Sequence, residues 1–181
     1  MKSKGDKTII VFCGPESTAK STVSHKASQI VGAEWVPEYA REYVEELNRP
    51  YTYDDVIVIA RKQIIEYHRL LQSDQKIIIF DTFLILTKVW LEIVYNKVPQ
   101  WLLKELEEIQ IDLYLLCKPD IPWVSDGVRE NEERRQELYT IYKKEIEKYN
   151  FPYIIISGEG ESRLSQAISC INHIITKQNQ L

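Results

Sequence analysis

Three cysteines far apart and three scattered histidines in 181 residues leave little for metal or disulfide chemistry. Cys13, Cys117 and Cys170 form no CxxC pair, and an odd, scattered set builds no disulfide framework. A reducing, cytoplasmic setting with thiols as small buried residues is the expectation. His25, His68 and His173 are equally dispersed, which argues against zinc. No apolar run approaches the roughly 20 residues that span a bilayer. The N-terminal run "TIIVFC" is too short for the apolar core of a signal segment and reads as a strand. Excess positive charge is missing too. With 23 Lys and Arg against 27 Asp and Glu the formal net charge is −4. No basic field exists to track a nucleic-acid backbone, so neither nucleic acid nor membrane is an expected partner. Repeats, low-complexity tracts and linkers are absent.

What is present has the balance of an ordinary globular domain, 44% hydrophobic and 28% charged. One domain over 1–181 is expected. Four short, continuous runs rich in β-branched residues read as fully buried strands: 8–13, 76–82, 112–117 and 152–157. A shorter fifth lies at 33–37. Helical spacing fills the intervals at 20–31, 39–47, 53–72, 83–95, 100–109, 130–149 and 162–177. Strands alternating with helices imply parallel pairing through right-handed crossovers, hence an α/β fold with helices on both sheet faces. Ligands of such sheets bind beyond the carboxyl ends of the strands, which directs attention to the residues after each run.

After the first run stands "CGPESTAKST" (13–22). Gly14, Lys20 and Ser21 keep the register of the phosphate-binding pattern G-x-x-x-x-G-K-[ST], with Ala19 in place of the second glycine. Gly14, Pro15, Glu16, Ser17, Thr18, Ala19, Lys20, Ser21 and Thr22 would hold the ATP phosphates through loop amides and a helix N-terminus. Lys20 would reach the β and γ phosphates, and the Ser21 hydroxyl would ligate Mg²⁺. If the backbone at Ala19 is left-handed, its methyl group costs on the order of 1 kcal/mol; if helical, almost nothing. The run "IIIFD" ends in Asp81, the Walker B arrangement, in which a carboxylate holds Mg²⁺ directly or through water.

"WVPEYAREY" (35–43) sets Glu38 and Arg41 one helical turn apart. Glu38 could accept a substrate hydroxyl while Arg41 pairs with phosphate or fixes Glu38; an exposed ion pair is the plainer alternative. The polar segment "KPDIPWVSDGVRENEERRQE" carries Arg129, Arg134 and Arg135, placed to close over phosphates as a lid at about 119–135. A Glu130–Arg134 pair on a solvated helix face is the alternative. Trp90 and Trp101 read as packing residues. Trp35 and Trp123 could stack on a flat ligand or simply pack.

Together "GPESTAKST", "WVPEYAREY", "FDTFLILTKVWLEIVY" and "DLYLLCKPDIPWVSDGVRE" resemble, in order and spacing, the ribosylnicotinamide kinase domain of NadR-type proteins. The resemblance runs from about Thr8 to Ile175 and leaves nothing over for the DNA-binding and adenylyltransferase domains of fused relatives. It implies a three-layer P-loop kinase fold with a mainly parallel, roughly five-stranded sheet and an arginine-bearing lid. The implied activity is ATP-dependent phosphorylation of a nucleoside 5′-hydroxyl, with nicotinamide riboside as the family acceptor. The cofactors are then ATP and Mg²⁺, the partner a small-molecule nucleoside. Carried over by position, Lys20, Glu38, Asp81 and Arg129 take the catalytic roles. Ser21 and Asp81 take the metal, and Trp35, Glu38, Tyr39 and Arg41 the substrate. Trp123, Asp126, Arg129, Arg134 and Arg135 form the lid. Trp35, Tyr39 and Tyr67 are the aromatic candidates for contact with a pyridine ring. Two positions depart from the family: Ala19, and Phe83 where a "DTD" pattern has its second acid. These departures keep two other classes open, a nucleotide-binding sensor without transfer activity and a P-loop ATPase acting on a protein partner.

Overall fold

The computed structural model describes residues 4–124 and 133–178. The chain runs β1 (Thr8–Cys13), α1 (Lys20–Val31), β2 (Glu34–Val36), α2 (Tyr39–Glu46), α3 (Tyr53–Leu71), β3 (Ile77–Asp81) and α4 (Leu84–Tyr95). It continues through α5 (Gln100–Glu108), β4 (Leu113–Cys117), α6 (Arg135–Lys148), β5 (Tyr153–Ile156) and α7 (Gly160–Gln178). The five strands lie in the order β2-β3-β1-β4-β5 and every neighbouring pair is parallel. This is the α/β P-loop kinase architecture expected from the sequence, with most element ends within a residue or two. The largest difference is at α6. The helix expected from Glu130 begins at Arg135 within the described residues, after a turn at Glu133 and Arg134.

Because side chains alternate along each strand, the sheet has two apolar faces. Ile9, Val11, Ile78, Phe80, Tyr114 and Leu116 meet α3, α4, α5 and α6 on one face. Ile10, Phe12, Ile79, Leu113 and Leu115 meet Val23 and Ala27 of α1 and Leu164, Ala167 and Ile171 of α7 on the other. Central strands buried on both sides explain the unbroken Ile/Val/Phe runs. Cys13 and Cys117 sit at the ends of β1 and β4, fully buried. Burial pushes the Cys117 thiol up to about 11, so it is an inert packing group. A capping box starts α3: Thr52 Oγ1 accepts from the Asp55 amide at 3.4 Å, and Asp55 Oδ2 accepts from the Thr52 amide at 2.7 Å.

Between β3 and β4, order in space reverses relative to order in sequence around β1. That makes the carboxyl end of β1 the switch point where a cleft forms.

Candidate active site

The loop leaving β1 is tightly held. Gly14 has φ 139°, and a Cβ there would lie 2.5 Å from the Cys117 carbonyl oxygen, so only glycine fits beside β4. The Pro15 carbonyl accepts from Thr18 Oγ1 at 2.9 Å and from Lys20 Nζ at 2.8 Å. Ser17 and Ala19 are left-handed, at φ 54° and 59°. Ala19 is therefore at the strained alternative of the two that the sequence allows, and it caps α1 without a side-chain hydrogen bond. Ser21 and Thr22 are exposed on the first turn of α1.

Asp81 ends β3, lines a recess with Ser21, Glu38 and Arg41, and is 1% exposed. Burial raises its carboxyl above the ordinary range, while Lys20, a hydrogen bond from Ser21 and the charge of Arg41 pull it down. Its Oδ1 is buried with no hydrogen-bond partner. An orphaned carboxylate oxygen beside a hydroxyl is a hard-oxygen pair that suits Mg²⁺, which binds through one or two carboxylates and completes its shell with phosphates and water. Among the described residues no group of three or more His, Cys, Asp and Glu could hold a metal. The next residue, Thr82, is β-branched yet has φ 67°, a second strained point at the site, and its amide donates to the Phe12 carbonyl at 3.1 Å.

Glu38 precedes α2 and lines the cleft with Arg41. Burial raises the Glu38 carboxyl, Asp81 and Glu16 add to that, and Lys20 and Arg41 oppose it. A carboxylate with a raised pKa near a phosphate loop has the character of a general base. Arg41 does not pair with Glu38 as the spacing allowed; its Nε meets Glu45 at 2.9 Å, one turn further on.

A cleft of about 680 Å³ runs from this loop across to α3, α4 and α6, within the size range of nucleotide and small-molecule sites. Its far wall was not legible in the sequence. Tyr51 and Trp90 meet edge to face at 4.8 Å and both line the cleft, Trp90 also packing on the core as expected. Gln63, buried on α3, accepts from Thr87 Oγ1 at 2.7 Å beside them. At the rim, Arg49 is held bidentately by Asp55 at 2.6 and 2.8 Å. These groups come from separate chain segments.

The three aromatic candidates lie elsewhere. Trp35 donates to Ser24 Oγ at 3.0 Å and lies tilted against His25, ring centroids 4.6 Å apart, edging only a shallower recess with Ser21, Glu38 and Asp81. Tyr39 packs on Tyr43 at 5.9 Å and under Lys62. Tyr67 is core, hydrogen-bonded through its hydroxyl to Gln110. Each ring is drawn away from the cleft by a neighbour that satisfies its face or polar tip. Of the lid residues, Asp126 and Arg129 lie outside the described residues, as does Glu130. Arg134 lines the cleft but is clamped to Glu137 at 2.9 and 3.0 Å. Arg135 lies 5.9 Å over Trp123 and reaches the phosphate loop, donating to the Ser17 carbonyl at 2.8 Å. Arg163 was missed altogether. It is 0% exposed on α7 and donates to the Thr18 carbonyl at 2.7 Å.

A family model described as an AAA domain matches residues 9–163. Among curated proteins, the trifunctional NAD biosynthesis/regulator protein NadR of Escherichia coli (strain K12) is 23% identical over 93% of this chain. The chain spans 43% of that relative's length. Solved structures of NadR superpose at TM-score 0.79, in complex with NR, and 0.73, in complex with NAD and AMP-PNP, at 24% and 21% identity. They cover 96% of this chain and 53% and 51% of those chains. Deoxyadenosine kinase from M. mycoides superposes at 0.66 with 17% identity, covering 92% of this chain and 100% of that one. At such identities the superpositions establish the fold.

Proposed function

The chain belongs to the AAA-domain family, and on that premise we propose that it is a phosphotransferase that moves the γ-phosphoryl group of ATP to the 5′-hydroxyl of a nucleoside. Nicotinamide riboside, giving nicotinamide mononucleotide, is the acceptor that best fits. One observation carries the reading: a cleft joins the phosphate loop and Glu38 to an aromatic corner, and an adjoining recess shares Ser21, Glu38 and Arg41 with it and reaches Asp81, both carboxyls being raised above their ordinary range. The NadR structure in complex with NR and the one with NAD and AMP-PNP support both halves of the reading by similarity. A cationic pyridinium is favoured by the faces of Tyr51 and Trp90 through cation–π attraction, about 0.5–2 kcal/mol.

In this reading the loop amides and Lys20 bind the ATP phosphates. Ser21 and Asp81 would hold the Mg²⁺, which would supply charge neutralisation on the phosphates. Glu38 accepts the proton of the attacking hydroxyl, and its raised pKa makes it a stronger base than an ordinary carboxylate. Arg41 and the lid residue Arg129 balance charge on the transferring group. Transfer of this kind depends on positioning and electrostatics more than on covalent chemistry by the protein. The protein acts in this account as one kinase domain.

The test is ATP consumption with nicotinamide riboside, deoxyadenosine and other nucleosides, with Lys20→Ala as control. Turnover that depends on nicotinamide riboside and vanishes in the variant supports the proposal. Turnover with deoxyadenosine alone moves the acceptor assignment and keeps the reaction class. Nucleotide binding with no turnover on any nucleoside refutes the kinase reading and leaves the sensor.

A further inference from the structure

Ser17 and Ala19 flank Thr18 with φ 54° and 59°, two left-handed residues carrying a Cβ within three positions. Such backbone persists only where its surroundings over-determine it. The surroundings here are two arginines from outside the loop. Arg163 donates from Nη1 to the Thr18 carbonyl at 2.7 Å. Its remaining donors are anchored at the Gly158 carbonyl (2.7 Å), the Lys118 carbonyl (3.1 Å) and the Asp120 carboxylate. Arg135 donates from Nη2 to the Ser17 carbonyl at 2.8 Å and to the Ile121 carbonyl at 3.0 Å. The Val124 amide adds a bond to Ser17 Oγ at 2.8 Å. These anchors lie in the segments after β4 and after β5, so the loop is held by parts of the chain remote from it in sequence.

In a planar trans peptide the carbonyl and the amide N–H point in opposite directions. Holding the Ser17 carbonyl outward turns the Thr18 N–H the other way, and holding the Thr18 carbonyl outward does the same for the Ala19 N–H. These are amides that a phosphate loop presents to its anion. A glycine at position 19 would keep this geometry unaided; alanine relaxes out of it when released.

We propose that Arg163 and Arg135 are positioning residues that clamp the Ser17 and Thr18 carbonyls, holding a loop with Ala19 in place of glycine in its phosphate-binding shape. The proposal rests on the phosphate-binding reading of the loop. It makes the clamp and the glycine alternatives to each other: a loop with the Ala19→Gly substitution depends less on the arginines than a loop with Ala19.

The test is a double-mutant cycle of Ala19→Gly with Arg135→Met, and in parallel with Arg163→Met, read by urea unfolding and by calorimetric titration with MgADP. With both arginines present, Ala19→Gly raises the folding equilibrium constant about fivefold, because the strain is expressed. In Arg135→Met that gain falls below about twofold, because Ala19 has already relaxed. MgADP affinity falls about tenfold in Arg135→Met with Ala19, and about threefold or less once Ala19→Gly is added. A purely structural arginine lowers stability equally in both backgrounds and leaves the affinity of the folded protein alone. Additive effects in the unfolding arm overturn the proposal. So does coupling in stability with unchanged affinity in a protein that binds MgADP. If the unmodified protein does not bind MgADP, the phosphate-binding reading fails and the positioning role fails with it. Coupling in the unfolding arm then reports only a strained loop. If Arg163→Met does not fold, the half-buried Arg135 decides the matter alone.

Discussion

Gly14→Ala is the substitution whose cost the structure sets most directly. The added Cβ would stand 2.5 Å from the Cys117 carbonyl oxygen and 3.3 Å from the Cys117 carbonyl carbon, at φ 139°. Both partners are backbone at the ends of adjacent buried strands, so neither can swing aside as a side-chain tip does. Overpacking of this kind costs about 1–3 kcal/mol, and a backbone angle that L residues avoid adds about 1–3 kcal/mol. The sum is about 4 kcal/mol, a large share of the roughly 5–15 kcal/mol that holds a domain together. For a chain of this size that lowers the melting temperature by about 8–16 °C. Gly32→Ala is the internal control. Gly32 also has positive φ, 69°, but nothing lies within 4 Å of its Cβ position, so only the left-handed penalty of about 1–2 kcal/mol applies. Urea unfolding of both variants measures the difference. A gap of less than about 1 kcal/mol between them would refute the close approach of the loop to β4 on which the site geometry depends.

Three further outcomes follow from the site. Asp81→Asn should abolish phosphoryl transfer while stabilising the protein near neutral pH. The folded-state pKa of Asp81 lies above its ordinary 3.8, so its contribution to stability is full below that value and is lost as pH rises through the folded pKa. The advantage of the Asn variant in urea midpoint should therefore widen from about pH 4 to pH 7; a gap that narrows sinks the argument. Glu38→Gln should lower kcat about 100-fold or more and remove the acid limb of the pH–rate profile, which for the unmodified protein should lie above the ordinary glutamate range; an unchanged limb assigns the base elsewhere. Trp90→Leu should raise KM for the nucleoside about tenfold, the loss of roughly 1.4 kcal/mol of ring contact, with KM for MgATP unmoved. Equal rises in both would place Trp90 in packing alone.

The fold was legible because its signals are local. β1 and β3 are runs of buried β-branched residues, and α1 has its loop before it and Gly32 after it. Gly14, Lys20 and Asp81 were legible for the same reason, since each stands at a fixed offset from a strand. The far wall of the cleft was not, because Tyr51, Gln63, Thr87 and Trp90 are brought together only by the packing of α3 on α4. Arg163 gave no sign either. Its spacing on α7 is that of an ordinary polar face, and its burial follows from four acceptors supplied by β4, β5 and the loop. The aromatic candidates Trp35, Tyr39 and Tyr67 stand off the larger cleft for the converse reason, Trp35 edging the recess with Ser21, Glu38 and Asp81. Proximity in sequence to a strand end says nothing of which neighbour a ring will choose, and Ser24, Tyr43 and Gln110 claimed them.

The two departures from the family pattern are physically unlike. Ala19 changes the energy of a backbone that the loop still adopts, and its cost is spread over contacts that hold neighbouring carbonyls. Phe83 changes what the position is made of. It is 0% exposed and packs on Phe80 at 4.8 Å and Tyr67 at 5.7 Å, inside the core rather than at the cleft. Full burial of such a ring contributes about 2–3 kcal/mol, and an ionised acid in the same surroundings would have to shift its pKa or unfold its neighbours. The phenyl ring therefore belongs with Tyr67 to the packing that seats α4 against the sheet, and α4 carries Thr87 and Trp90 into the cleft. In the proposed reaction, any acidic contact to the acceptor then falls to a group other than position 83. Glu38, already at the cleft with a raised pKa and beside Asp81, is the carboxylate placed to take it.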